Sequence, residues 1–141
     1  MNPTIFLSGA IDHVGDFAKE WRKEAKQKLE FYGYKVYDPT AVSESGPISP
    51  EEVAQKNIFM QKRSDVILVE YVIENRPYIG TDFEMAWAKI HGQPIVVICN
   101  NDNKDRVYMK YLATKIVDSL DDAIDYIGIH YPIHGGLNAI Y

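Results

Sequence analysis

The chain has 141 residues, enough for one domain with a single sizeable core. Its apolar share of 46% and charged share of 25% are those of an ordinary soluble globular protein. With 15 basic and 20 acidic side chains the net charge is −5, so no global basic field draws a nucleic-acid polymer or an anionic membrane surface.

Thr4-Ile5-Phe6-Leu7-Ser8-Gly9-Ala10 reads as a buried strand ending in small residues, which would let a ligand approach the backbone closely. Asp12 and His13 follow in a loop. Asp16 suits a helix N-cap, and Phe17, Trp21, Ala25 and Leu29 recur every four residues along one face. Lys19, Arg22, Lys23, Lys26 and Lys28 between them read as a solvated face, and Gly33 as the residue that ends the helix. Tyr34 to Tyr37 form a second strand, closed by Asp38-Pro39, and a loop carrying Ser43, Ser45, Gly46 and Pro47 runs to Ser49. Ser49-Pro50-Glu51-Glu52 is a strong helix start: a cap, a proline at the first position, then two acids favoured by the dipole. That helix is predicted to about Lys62, with Val53, Ala54, Asn57, Ile58 and Met60 or Gln61 on or near its inward face.

Asp65 to Tyr71 is a third strand, continuously apolar through Val69, as a strand covered on both faces should be. After the loop from Val72 to Ile79, Gly80-Thr81-Asp82-Phe83-Glu84 opens a helix that ends near His91-Gly92. Pro94 to Cys99 is a fourth strand, Asp105 to Ala113 a helix, and Ile116-Val117-Asp118 a brief edge strand. Ser119 caps a last helix through Tyr126, and residues 129–141 form a tail with several apolar side chains. Strands alternating with helices predict an α/β fold, a flavodoxin-like doubly wound parallel sheet of five strands in the order 2-1-3-4-5, as a single domain. The ligand crevice then lies at the carboxyl ends of strands one and three. Ser8, Gly9 and Asp12 border it from one side, and Gly80, Thr81 and Glu84 from the other.

Several familiar chemistries are missing. There is no G-x-G-x-x-G, no G-x-x-x-x-G-K-[ST] and no G-x-S-x-G, which argues against dinucleotide, P-loop and serine-elbow sites. Strand one ends in Ser8-Gly9 rather than in clustered acids, unlike a response-regulator receiver. His130 and His134 stand four apart without a third ligand, so no metal and no organic cofactor is expected. The single cysteine, Cys99, reads as a buried free thiol suited to a reducing compartment. No apolar run approaches a membrane span, and the first residues lack a signal-peptide pattern, so a cytoplasmic location is expected.

Glu84 has two rival uses. With Thr81 it matches a capping box, T-x-x-E, that merely starts a helix. Alternatively it is a nucleophile: a carboxylate can attack an anomeric carbon and hold the sugar covalently, kept ionised by the positive end of the helix.

Taken together, Ile5 to Ala10, Trp21, Leu29, Gly33-Tyr34-Lys35-Val36-Tyr37-Asp38-Pro39, Ser64 to Val69 and Gly80-Thr81-Asp82-Phe83-Glu84 with Ala86 resemble the nucleoside 2-deoxyribosyltransferase family in order and spacing. The resemblance implies a flavodoxin-like fold, a homo-oligomer with shared sites, and Glu84 as the nucleophile that displaces a nucleobase from C1′ of a deoxynucleoside. A second base, or water, then takes the deoxyribosyl group. It also implies substrate contacts at Phe6, where family members often carry a tyrosine, and at Asn57, where they often carry an aspartate. Tyr78 stands where related nucleoside 5′-monophosphate N-glycosidases carry a phosphate-holding serine, which favours an unphosphorylated nucleoside, and Met109 falls in a sugar-contact region. Asparagine cannot donate a proton as an acid. That task would pass to Asp12, Asp82, Asp102 or water. The expected partners are a small nucleoside or nucleotide and a free nucleobase, with no nucleic-acid polymer and no membrane. Hydrolysis of the N-glycosidic bond and silent nucleotide binding are the alternatives.

Overall fold

Val66–Glu70 is buried at every position, the state that a continuously apolar strand reaches only with helices on both faces. A computed structural model of the chain describes residues 2–41 and 48–133. The elements run β1 (Thr4–Ser8), α1 (Phe17–Phe31), β2 (Lys35–Tyr37), α2 (Pro50–Lys62), β3 (Val66–Glu70), α3 (Ile79–Ile90), β4 (Ile95–Ile98), α4 (Val107–Leu112), β5 (Lys115–Val117) and α5 (Leu120–His130). All four strand pairings are parallel and the order is β2-β1-β3-β4-β5, as the sequence pattern predicts.

Side-chain alternation on the strands sorts the interior into two layers. Ile5, Leu7, Val66 and Leu68 pack on Trp21, Ala25 and Leu29 of α1 and on Ala123, Ile124 and Ile127 of α5. Phe6, Ile67, Val69 and Val97 point the other way, onto Met85 and Ala88 of α3 and Met109 of α4. Ser8, two residues beyond Phe6, therefore ends β1 on the α3 face.

Helix ends show where local signals hold and where they yield. Ser49 accepts a hydrogen bond from the Glu52 N–H, and Glu52 Oε1 accepts one from the Ser49 N–H at 3.0 Å, a complete capping box with Pro50 at the first helical position. Gly33 follows α1 with φ +98°, a conformation that suits glycine at a helix end. The T-x-x-E motif behaves otherwise. α3 starts at Ile79 with Tyr78 as its N-cap and no capping side chain, so Thr81 is the third helical residue and Glu84 the sixth. The capping-box reading of Thr81 and Glu84 is thereby corrected.

Three further expectations change. Val53 and Ala54 of α2 are exposed and only Gln61 is fully buried: the helix meets the interior through its end, with Met60 on the α3-side layer and Gln61 on the Glu84 carbonyl. A short 3-10 turn at Asp102–Asp105 precedes α4, which begins at Val107 rather than at Asp105. Finally, α5 continues through Gly128 to His130, and the Tyr34 hydroxyl donates to the Tyr131 carbonyl at 2.9 Å, tying the start of the tail to the segment between α1 and β2. His134 and the tail from residue 134 onward, like Ser43, Ser45, Gly46 and Pro47, lie outside the described residues. Among the described residues no helix is long and apolar enough to cross a membrane.

Candidate active site

Two elements bring a carboxylate and a hydroxyl together at the carboxyl edge of the sheet. Ser8 ends β1 fully buried, and its Oγ–H donates to Glu84 Oε1 at 2.5 Å. A charge-assisted O–H···O⁻ bond of that length is short and strong. From the other side, Gln61 of α2 donates its side-chain N–H to the Glu84 carbonyl at 2.8 Å. Gln93 donates in turn to the carbonyls of Gln61 (2.8 Å) and Ser64 (2.9 Å), so the α2 end is locked against α3 at this turn.

The ionisation of Glu84 is governed by burial. Its pKa lies above the usual carboxylate value of 4.5, chiefly because the carboxyl is withdrawn from water. The Ser8 hydrogen bond and the Arg22 charge pull it partly back. Helix polarity was expected to keep it ionised. That influence fades beyond the first turn, and Glu84 is in the second.

Behind this pair lies a buried network joining β1, α1, β3 and α3. Glu70, at the end of β3, accepts from the Ala10 N–H at 3.0 Å through Oε1. Its Oε2 accepts from the Val72 N–H at 2.9 Å and from the Tyr78 hydroxyl at 2.6 Å. Arg22, fully buried, donates to the carbonyls of Gly9 (3.0 Å), Ala10 (3.3 Å) and Ala18 (2.9 Å). Burial lowers its pKa, while Asp38, Glu70 and Glu84 oppose the shift. The expectation that Arg22 lies on a solvated face is corrected: the turn after β1 folds its carbonyls onto the guanidinium.

Gly9 is required by this network. A Cβ there would stand 2.7 Å from Glu70 Oε1 and 3.0 Å from Trp21 Cζ2. Gly9→Ala should therefore destabilise the protein by about 1–3 kcal/mol, the range for overpacking a filled site. Thermal unfolding of the variant checks this.

The other expected contacts divide. Phe6 is fully buried with its ring stacked on Tyr37, 5.5 Å between centroids, and Met109 is 94% buried in the same layer, so both are core residues. Tyr78 is buried with its ring stacked 4.0 Å from Tyr71 and its hydroxyl committed to Glu70, which removes it from the open crevice. Burial and the Glu70 bond raise its pKa far above the ordinary phenol value. Thr81 is buried in the first turn of α3, whereas Gly80 is exposed with open space over its Cα. Asn57 is half-buried and one helical turn before Gln61, on the same face of α2, with no side-chain hydrogen bond among the described residues.

Among the described residues none of the acid candidates is hydrogen-bonded to Glu84. Asp12 is exposed in the turn after β1. Asp82 accepts from the Tyr71 hydroxyl at 2.7 Å and, two residues from Glu84 on a helix, projects to a different side. Asp102 is in the 3-10 turn after β4. Among the described residues no group of three or more His, Cys, Asp or Glu side chains is placed to hold a metal ion. Cys99 is a buried free thiol, as expected.

Sequence reasoning missed Glu70 and Gln61 as parts of this edge and passed over Tyr37. Glu70 carried a signal: an acid ending an otherwise apolar strand must find partners when buried.

A five-stranded parallel sheet in this order, with a carboxylate at the edge formed by β1 and α3, defines a flavodoxin-like α/β protein with a candidate active site at the usual crevice. The fold is shared with a 2-deoxyribosyltransferase from Bacillus psychrosaccharolyticus at a TM-score of 0.74 and 18% identity, over 92% of this chain and 96% of that one. A 2-desoxiribosyltransferase from Leishmania mexicana superposes at 0.72 and 17% identity, over 92% and 99% of the two chains. The CMP N-glycosidase BcmB from Clostridium botulinum superposes at 0.58 and 15% identity, over 90% and 99%. No protein-family model and no curated protein sequence matches the chain.

Proposed function

We propose that the protein is a nucleoside 2-deoxyribosyltransferase in which Glu84 is the nucleophile. The observation that carries this reading is the Ser8–Glu84 pair, 2.5 Å apart at the carboxyl edge of a sheet whose fold is shared with two deoxyribosyltransferases. Ser8 fixes Oε1 and leaves Oε2 to attack. A bond forms from Oε2 to C1′ of the deoxynucleoside while the C1′–N bond breaks. Its electron pair goes to the departing base, which takes a proton there from water. An acceptor base then attacks C1′ through a ring nitrogen and loses that nitrogen's proton to solvent, while the C1′–Oε2 bond breaks and restores the carboxylate. Burial of Glu84 serves this chemistry in one respect: a carboxylate poor in hydration is a readier nucleophile once ionised. Asn57, on the α2 face that carries Gln61, suits a hydrogen bond to the base rather than proton donation.

Hydrolysis is the second reading. The shared fold with a CMP N-glycosidase supports it, and water would replace the acceptor base. The inward commitment of Tyr78 to Glu70 leaves no phosphate ligand at that position, which favours nucleosides over nucleotides. Incubation with deoxyinosine and free adenine separates the readings. Transfer yields deoxyadenosine together with hypoxanthine, hydrolysis yields hypoxanthine with or without adenine, and release of no base contradicts both. For the homo-oligomer, the exposed residues Ile79, Phe83 and Ile90 of α3 and Tyr108 and Tyr111 of α4 form the apolar face that supports self-association.

A further inference from the structure

The side chain of Tyr37 is buried at its polar end, and its hydroxyl has no hydrogen-bond partner among the described residues. It pairs in register with Phe6 of β1, and its ring stacks on Phe6 with 11° between the planes. It therefore stands on the same face of the sheet as Phe6, Ser8 and Met85, the face that α3 covers. Its hydroxyl is withdrawn from solvent and has no hydrogen-bond partner among the described residues. A phenylalanine would fill the same stack without that cost, so the oxygen calls for a partner that joins it in use.

Glu84 identifies where that partner sits. Tyr37 and Ser8, the residue that holds Glu84, stand on one face of adjacent strands two register positions apart, and burial, with the charges of Asp38 and Glu84, raises the phenol's pKa and keeps it neutral. No hydrogen bond joins the phenol to Glu84, and none reaches Glu84 Oε2 among the described residues. The phenol and Glu84 Oε2 are therefore two polar groups on the α3 side of the sheet that a bound substrate can supply with partners. Given the reading of Glu84 as a nucleophile at an anomeric carbon, the part of the substrate beside it is the sugar and not the base.

We propose that Tyr37 is a specificity-determining residue whose hydroxyl hydrogen-bonds a hydroxyl of the substrate's deoxyribose, the 3′ or the 5′. A neutral phenol both donates and accepts, as does a sugar hydroxyl, so either direction of the bond is satisfied. A site built to bond a hydroxyl discriminates against a sugar lacking it, because the buried group is left unpaired again.

The test compares Tyr37→Phe with the parent protein on the best used of deoxyinosine, deoxyadenosine, deoxycytidine and thymidine. The 2′,3′-dideoxy and 2′,5′-dideoxy analogues of that nucleoside are run beside it. The readouts are kcat/KM for base release and the melting temperature of each protein. The variant should melt no lower than the parent, since it removes an unpaired buried hydroxyl. It should lose about tenfold or more in kcat/KM on the deoxynucleoside. On one of the two analogues, the one lacking the bonded hydroxyl, parent and variant should differ by less than about threefold. A lower melting temperature, an unchanged kcat/KM, or the same loss on all three substrates would overturn the assignment. If the parent released no base from any deoxynucleoside, the proposed function itself would fall, and this assignment with it.

Discussion

Glu84→Gln should lower the rate of base release by about 10³-fold or more while leaving the fold intact. The amide keeps an oxygen to accept from Ser8, so the geometry at the edge of β1 survives, but it cannot attack C1′. The same change should make the protein more stable at neutral pH, and the sign follows from burial. The folded-state pKa of Glu84 is raised, so its protonated form is favoured by folding. That contribution is fully present below the unfolded carboxylate value and is lost as pH rises through the folded value. Above it, the parent bears the cost of a buried charge that the glutamine variant does not. The stability advantage of Glu84→Gln should therefore shrink as the pH is lowered into the acidic range, which urea unfolding at several pH values would show. Activity of the parent should run oppositely. It should rise with pH through a value above 4.5 and then level off as the nucleophile becomes fully ionised.

The second large effect is on stability. Glu70→Ala removes the acceptor of the Ala10 N–H, the Val72 N–H and the Tyr78 hydroxyl at once, and takes away one of the carboxylates whose field reaches Arg22. Leaving these donors without their charged acceptor in the interior costs about 3–5 kcal/mol. Glu70→Gln should cost distinctly less, because its remaining oxygen still serves one side of the network. Equilibrium denaturation of the two variants checks the order. Ala10 lies two residues after Ser8, so Glu70→Ala should also lower base release by loosening the strand end that holds Glu84. Equal stabilities for the parent and Glu70→Ala would mean that the network contributes nothing.

Much of the fold was legible because its elements obey local rules. An apolar run such as Val66 to Val69 needs cover on both faces, and alternating strands and helices then leave few topologies. The capping box at Ser49 was readable for the same reason: Pro50 and two acids corroborate the spacing. At Thr81 the same spacing misled. The start of α3 is set by a tertiary contact, the Tyr78 hydroxyl on Glu70 with its ring against Tyr71, and that contact begins the helix before Thr81. The pairing of Glu84 with Ser8 follows from strand order and could be anticipated. Its ionisation could not, since the residue's place on the second turn puts burial ahead of helix polarity. Arg22 was hidden by its basic neighbours, although its spacing from Ala18, Ala25 and Leu29 sets it on the buried stripe that Lys23 and Lys26 avoid, where the Gly9 and Ala10 carbonyls meet it. Tyr37 looked like an ordinary strand aromatic, and its unpartnered oxygen becomes visible only once the β1–β2 register is fixed.

The reading of Glu84 as a covalent nucleophile is tested most directly by trapping its ester. The protein would be mixed with a deoxynucleoside, quenched in acid within the first turnovers, digested, and its peptides weighed. The account predicts a mass gain of one deoxyribosyl group on the peptide that contains Glu84, and none in Glu84→Gln. Base release by the parent with no such adduct, or an adduct on a different peptide, would contradict it.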